Sequence, residues 1–253
     1  MNGPWRSNKG WRGRSAALTL AAALLVGCQG AEAPGDPVAE TPPDLTLLAL
    51  GDSYTVGHSL PTGWSWPWQL ADSLAAGGDT LEAVAVVART GWTTRDLLDA
   101  ARAHRGTGAL PERRHGLVTL MIGVNNQFQG LDIDVFRAEL DTLVVLATEL
   151  AGNKPRRVVG FTIPDYGVTP VGSLYDADRV ASEIAAHNSV LREVAAARGI
   201  ALVDITPLSC DAGTDPALVA RDGLHYSRAM YARWVSLMLP VVRDALGLVA
   251  TKG

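Results

Sequence analysis

The sequence predicts an α/β protein built as a three-layer α/β/α sandwich, with one parallel sheet between two layers of helices. From Leu45 onward, short apolar runs alternate with longer segments whose apolar residues recur at helical spacing. Strands that alternate with helices along a chain form parallel sheets that are covered on both faces. The chain has 253 residues, of which 47% are hydrophobic and 19% charged, and this composition supports one sizeable core.

Five apolar runs are predicted to be the strands of this sheet. They span residues 45–50, 81–87, 117–122, 157–162 and 200–203. In a parallel sheet the carboxyl ends of the strands meet at one edge, and ligands bind in the crevice outside that edge. The loops that follow these runs are therefore where a functional site is expected.

Five segments with apolar residues at helical spacing are predicted to cover the sheet. The first begins near residue 67, and the others span residues 94–103, 134–150, 178–198 and 227–246. Pro67 suits the first turn of a helix. In that helix Trp66 is in line with Leu70 and Leu74, so it is expected to face the core. Trp68 is expected to point away from it.

The first residues are predicted to be a signal peptide that is not part of the fold. The first part of residues 1–27 holds four basic residues, at positions 6, 9, 12 and 14, and no acidic one. An apolar stretch follows at 16–26, which is too short to span a bilayer and is typical of secretory signals. The stretch ends in Leu-Val-Gly followed by Cys28, which resembles the bacterial lipobox. That resemblance implies cleavage before Cys28 and transfer of a diacylglyceryl group to its thiol. An ordinary signal peptide beside a chance cysteine is the alternative.

Residues 28–44 are predicted to be a flexible, acidic, proline-rich spacer, and residues 45–253 the one globular domain. We expect an exported lipoprotein that is held on the cell envelope through Cys28. Gln29 is not the Asp that favours retention in the inner membrane, which points to the outer membrane in a Gram-negative cell. Cys210 then has no partner for an intramolecular disulfide and is expected to be a buried small hydrophobic residue. The formal net charge of -4 argues against a nucleic-acid partner.

Three loops expected near the carboxyl edge of the sheet carry residues suited to nucleophilic catalysis. The turn 51–53, Gly-Asp-Ser, follows the first strand, and Ser53 there would project into the cleft with its backbone N–H free. A serine is a poor nucleophile at neutral pH and needs a base close by. Asp222 precedes His225 by three residues, so its carboxylate can accept the Nδ1–H and leave Nε2 facing the serine. Asn125, after the third strand, can donate its amide to a developing oxyanion.

These blocks, taken in order, resemble the SGNH hydrolases, also called the GDSL family. The turn 51–53 is similar to the first block of the family, Gly91 to the second, Gly123 and Asn125 to the third, and Asp222 and His225 to the last. The resemblance runs from Leu45 to about Leu246. It implies a flavodoxin-like sandwich with five parallel strands and catalysis without a metal or a cofactor.

The resemblance implies that Ser53 is the nucleophile, that His225 is the general base and that Asp222 orients His225. The oxyanion would be held by the backbone N–H groups of Ser53 and Gly91 and by the amide of Asn125. The implied activity is hydrolysis of a small-molecule or carbohydrate ester through an acyl-enzyme. Neither the segment 57–67 nor the segment after Pro164 holds a long insertion that could fold into a large apolar lid, so short acyl and O-acetyl groups are expected. An O-acyltransferase, a thioesterase and an inactive sugar-binding lipoprotein are the alternatives, and the sequence leaves the oligomeric state open.

Polar residues near these blocks are expected to play supporting parts. Asp52 should brace the turn, and Asn126, where many members of the family have Asp, should be structural. His58 is the rival base because it is close to Ser53 along the chain. It has no carboxylate at a short spacing, so we expect it to line the cleft or lie on the surface. The loop 165–167 is a further candidate for shaping access to the cleft.

The remaining histidines and two tryptophans carry weaker signals. His104 and His115 flank a polar loop and are expected to be solvated, whereas His187 lies within a predicted helix and is expected to be structural. Trp64 and Trp92 are candidates for lining the cleft, where an indole can stack on a sugar or an acyl chain.

Overall fold

The structure is a computed structural model, and it describes residues 45–106 and 115–248, with the side chains of residues 104–106 left aside. The predicted signal peptide, Cys28 and the predicted spacer lie outside the described residues. So does the side chain of His104.

A five-stranded parallel sheet forms the centre of the domain. Its strands are β1 (Thr46–Gly51), β2 (Ala83–Ala88), β3 (Leu117–Met121), β4 (Val158–Phe161) and β5 (Ala201–Val203). They are ordered β2-β1-β3-β4-β5, and every neighbouring pair is parallel. This is the flavodoxin-like order. The chain adds β2 on one side of β1 and the later strands on the other side, and a crevice opens at the carboxyl ends of β1 and β3, where this change of side occurs. The predicted fold is confirmed.

Within residues 45–106 and 115–248, the five predicted helices are present, together with three short α-helices. The helices are α1 (Ser53–Val56), α2 (Trp66–Ala76), α3 (Thr94–Gly106), α4 (Val124–Phe128), α5 (Ile133–Leu150), α6 (Ala177–Arg198), α7 (Thr206–Ser209) and α8 (Arg228–Leu246). Helix α2 packs against α8, while α5 packs against both α3 and α6. Of the helices described here, none is long and apolar enough to cross a membrane.

The core is formed by the strands and the inward faces of the long helices. All six residues of β1 are buried, as expected for a strand covered on both faces. Trp66 is fully buried, and its ring centroid lies 5.3 Å from that of Phe161. Trp68 is 38% exposed. Both tryptophans therefore lie on the sides of α2 that the helical spacing predicts.

Two predictions about single residues are wrong. Cys210, predicted to be buried, is exposed because the short turn after α7 leaves it on the surface. His115, predicted to be solvated, is only 3% exposed because it directly precedes the buried strand β3. His187 is buried, and its ring packs 4.9 Å from that of Phe136, which agrees with a structural role.

Candidate active site

The turn after β1 presents Ser53 at the carboxyl edge of the sheet. A Cβ on Gly51 would lie 2.1 Å from Thr55 Oγ1 and 2.6 Å from the carbonyl oxygen of Met121, so only glycine fits there. Asp52 caps α1 by accepting the backbone N–H of Tyr54 at 3.0 Å. Ser53 is the first residue of α1 and is 5% exposed.

Asp52 is a buried carboxyl group directly beside the serine. Its burial raises its pKa to about 7, against the opposing effect of the hydrogen bond from Tyr54. Since its side chain holds the turn, its predicted bracing part agrees with the structure.

His225 and Asp222 form a tightly held pair. Nδ1 of His225 lies 2.6 Å from Oδ2 of Asp222. The other carboxylate oxygen accepts the backbone N–H groups of Leu224 and His225, each at 2.9 Å. An ionised carboxylate only accepts hydrogen bonds, so Nδ1 carries the hydrogen and Nε2 keeps its lone pair.

The surroundings of this pair lower the pKa of both groups. For Asp222, partial burial acts to raise the pKa, but the hydrogen bonds from Ser59, Leu224 and His225 together outweigh it and bring the pKa well below its usual range. For His225, burial and the nearby His58 lower the pKa, while Asp222 acts in the opposite direction. The imidazole is therefore neutral at neutral pH and able to accept a proton.

Two loops place candidate oxyanion donors in the same pocket as the serine. Gly91 has a φ of 87° and lines the same pocket as Ser53. Asn125 also lines it, and its Nδ2 donates to the carbonyl oxygen of Trp92 at 2.9 Å. A side-chain amide has two N–H donors, so this bond fixes the amide and leaves one donor available.

Asn126, next to Asn125, holds the two loops together. It is fully buried, accepts the backbone N–H of Thr94 at 3.0 Å and donates to Oγ1 of Thr94 at 2.7 Å. This is the structural part that the sequence predicted for it.

One pocket of about 180 Å³ brings four of the predicted site residues together, namely Ser53, Gly91, Asn125 and His225. Asp222, the fifth, lies behind His225 and is held by it. The other residues that line the pocket are Tyr54, Thr90, Val124, Phe128, Tyr166, Val171, Tyr175 and Leu224. They are largely apolar, so the pocket suits an uncharged group beside a polar reaction centre.

Three aromatic rings form one wall of this pocket. The centroid of Phe128 lies 6.0 Å from that of Tyr166 and 5.6 Å from that of Tyr175, in both cases edge to face. The loop containing Tyr166 was expected near the cleft, but Phe128 and Tyr175 were missed. Phe128 follows Asn125 by one helical turn, a spacing that could have identified it. Tyr175 carried no such signal.

The segment after α1 lies against the outer side of the pair. His58 is exposed, its ring centroid is 4.6 Å from that of His225, and its Nδ1 is 3.0 Å from Oγ1 of Thr90. Ser59 donates from Oγ to Oδ2 of Asp222 at 2.6 Å, with a left-handed φ of 66°. His58 therefore has a hydroxyl partner where a triad base would have a carboxylate.

The two candidate tryptophans do not lie in the wall of this pocket. Trp64 is 42% exposed in a separate groove, and the guanidinium of Arg228 lies 5.0 Å from its ring centroid. Trp92 packs partly buried against the core. It contributes to the site through the carbonyl group that holds Asn125.

A doubly wound sheet with a serine, a carboxylate-paired imidazole and an amide in one pocket has the arrangement of a carboxylic-ester hydrolase. Residues 49–233 match the model of the GDSL-like lipase/acylhydrolase family. The chain belongs to this family, and it is a carboxylic-ester hydrolase. The resemblance of the globular domain to the GDSL family is confirmed.

Solved structures with the same fold include several proteins of this kind. A protein named TesA is 21% identical with a TM-score of 0.63, and the match covers 79% of this chain and 99% of that one. The lipase/acylhydrolase from Enterococcus faecalis is 24% identical with a TM-score of 0.61, covering 82% and 98%. The acetyl xylan esterase AlAXEase is 16% identical with a TM-score of 0.60, covering 78% and 99%. A search of curated protein sequences found no match.

Proposed function

We propose that the protein hydrolyses short-chain carboxylic esters, O-acetyl esters among them, through an acyl-enzyme on Ser53. The observation that carries this proposal is the convergence of Ser53, His225 and Asn125 on one apolar pocket of about 180 Å³. A nucleophile, a base and an oxyanion donor are the three elements that acyl transfer requires.

In the proposed reaction, Oγ of Ser53 attacks the acyl carbon while Nε2 of His225 takes the hydroxyl proton. The negative charge that develops on the carbonyl oxygen is held by the backbone N–H groups of Ser53 and Gly91 and by Nδ2 of Asn125. His225 then gives its proton to the leaving alcohol, and a water molecule releases the acyl group by the same steps in reverse. Asp222 holds the imidazole in the tautomer that this sequence needs.

The size and lining of the pocket support a short acyl group. The aromatic wall of Phe128, Tyr166 and Tyr175 offers apolar contact within a confined space. In a long acyl tunnel, each added CH₂ that is buried would contribute about 0.8 kcal/mol of binding, so kcat/KM would rise with the length of the acyl chain. The fold shared with an acetyl xylan esterase supports including acetylated carbohydrates among the candidate substrates.

The proposal is tested by measuring kcat/KM on p-nitrophenyl esters from acetate to palmitate and on acetylated xylan. We expect the highest values from acetate to butyrate. Ser53→Ala should lower kcat by about 10⁴-fold or more. Adding His225→Ala to that variant should lower kcat little further, because triad members act as a unit. A steady rise toward long chains would contradict the short-chain assignment. Full activity in Ser53→Ala would contradict the acyl-enzyme.

We also infer that the enzyme works at the cell envelope, tethered by a lipid on Cys28. The support comes from the sequence, in which basic residues, an apolar stretch of secretory length, Gly27 and Cys28 occur in the order of a lipoprotein signal.

A further inference from the structure

We propose that His58, Asp222 and His225 bind a divalent transition metal ion, with Zn²⁺ the best match, and that the bound ion inhibits the hydrolase. The inhibition rests on the proposed function, because it requires His225 to be the base. Within residues 45–103 and 115–248, these three form the only group of at least three His, Cys, Asp or Glu side chains with ligand atoms close enough to share an ion.

The donor set fits zinc by its chemistry. One nitrogen from each imidazole and one carboxylate oxygen from Asp222 all lie within 4.8 Å of one another. Histidine nitrogen and carboxylate oxygen bind Zn²⁺ at about 2.0–2.2 Å, which places tetrahedral ligand atoms roughly 3.4 Å apart. Two imidazoles and a carboxylate form a common zinc set that leaves one position for water or chloride.

His58 can close the remaining gap because its side chain is on the surface. It is exposed, and its ring centroid lies 4.6 Å from that of His225, so a small rotation of the ring about its side-chain bonds is enough to turn a nitrogen toward a shared ion. The hydroxyl of Thr90, 3.0 Å from Nδ1 of His58, leaves Nε2 of that ring for the ion. A hydrogen bond on the second nitrogen commonly orients a histidine that binds a metal.

The bound ion would act on catalysis through His225. An ion that also binds the carboxylate of Asp222 meets His225 at Nδ1, which lies 2.6 Å from that carboxylate, and takes the place of the Nδ1 hydrogen. The neutral ring then carries its hydrogen on Nε2, so Nε2 has no lone pair with which to take the proton of Ser53, and the serine stays unactivated. Access from solvent through His58 makes the effect reversible by a chelator. His58 neither attacks the ester nor takes a proton in the proposed hydrolysis, and it acts on the reaction only by lowering the pKa of His225. At a pH well above 6.5 that effect does not change the charge of His225, which allows the metal site and the reaction to be separated by mutation.

The first experiment titrates ZnCl₂ against hydrolysis of p-nitrophenyl acetate at about pH 8, where the imidazole of His225 is neutral, in a buffer that does not bind metal. The wild-type enzyme should be inhibited, with full recovery on adding EDTA. His58→Gln should keep the basal activity and need at least about tenfold more zinc for half inhibition. His58→Asp, which replaces the imidazole with another zinc ligand, should restore much of the sensitivity. Zinc that leaves the wild type active, or that inhibits His58→Gln at the same concentration, would overturn the proposal.

A second measurement detects the site without turnover. Co²⁺ added to Ser53→Ala should give a visible absorption band of tetrahedral character that the Ser53→Ala/His58→Gln double variant lacks. A band of equal strength in both proteins, or no band in either, would refute the site. Because this readout needs no ester hydrolysis, it stays decisive if the proposed activity fails.

Discussion

At the scale of single residues, the pKa of His225, the base of the proposed reaction, is determined by opposing influences. Burial and His58 lower its pKa, and Asp222 partly restores it. A general base works only when unprotonated, and a lowered pKa keeps it unprotonated to more acidic pH. We therefore expect kcat/KM to hold as the pH falls through 6.5, the ordinary imidazole value, and to decline only below it. The check is a pH profile of kcat/KM with p-nitrophenyl acetate, from which the background hydrolysis measured with Ser53→Ala is subtracted. A midpoint of the acid limb at or above pH 6.5 would contradict the expectation.

Ser59 is the second residue whose surroundings bear on the base. Its hydroxyl donates to the same oxygen of Asp222 that accepts Nδ1–H of His225, and its φ of 66° is a conformation that non-glycine residues rarely adopt. Strained backbone of this kind persists where the surrounding structure holds it, often at functional sites. Ser59 is therefore a positioning residue for the pair rather than a participant in the chemistry.

Removal of the Ser59 hydroxyl should change the pH profile. Ser59→Ala takes away a donor that draws on the charge of Asp222, so the carboxylate acts more strongly on His225 and the acid limb of kcat/KM should move to higher pH. The rate should fall by about tenfold or less, since one hydrogen bond to a charged group is lost. Ser59→Gly removes the hydroxyl and also relieves the backbone. Equal shifts of the acid limb in both variants would assign the effect to the hydroxyl, and an unmoved limb in both would refute the positioning part.

At the scale of elements, the start of α4 decides where the amide of Asn125 lies. Gly123 caps this helix with a φ of 124°, and a Cβ there would meet Ile163 and Phe136, each at 2.9 Å. Alanine is strained at this φ and must also push two core side chains aside. The helix that carries Asn125 would shift as a result.

Gly123→Ala should lower kcat, by up to the factor of about 10² to 10³ that follows removal of one oxyanion donor. The matched control is Gly130→Ala, because Gly130 also has a positive φ of 64° but has no atom within 4 Å of an added Cβ. Both variants should lose stability to denaturant, and only Gly123→Ala should lose kcat. An equal effect of the two on kcat would show that backbone strain, and not the position of α4, is responsible.

The long elements could be predicted from the sequence because their patterns extend over many residues. Helices α5 and α6 begin one residue before their predicted starts, where Asp132 and Asp176 accept backbone N–H groups as caps. The short helices α1, α4 and α7 were missed because four or five residues carry no measurable periodicity. Such short helices are held by tertiary contacts rather than by their own propensity.

The candidate site was predictable to the extent that its residues fall into short sequence blocks. Ser53 and His225 come from such blocks, and the structure puts them in one pocket. The aromatic wall depends on Phe128 and Tyr175, which reach the pocket from separate elements and share no local pattern. The burial of a single side chain is likewise set by its tertiary neighbours, which is why the prediction for Cys210 failed.

At the scale of the whole molecule, the proposed anchor and the hydrolase domain are separate parts with separate tests. A single acyl chain holds a protein on a membrane only marginally, at about 0.8 kcal/mol for each buried CH₂, so stable attachment needs more than one chain. A diacylglyceryl group on Cys28 meets that need. The proposed anchor therefore predicts that attachment depends on Cys28.

Expressed with its own signal, the wild-type protein should fractionate with membranes and be released by detergent. Mass spectrometry should find a mature chain that begins at Cys28 and carries the lipid. Cys28→Ser should leave the protein soluble or unprocessed, without changing esterase activity in the purified domain. Cys210→Ser is the matched control, because that thiol is exposed in the folded domain and is not part of the signal sequence, so its loss should leave membrane attachment intact. A wild-type mature protein with an unmodified Cys28, or equal attachment of Cys28→Ser, would show that lipid on this cysteine is not the tether.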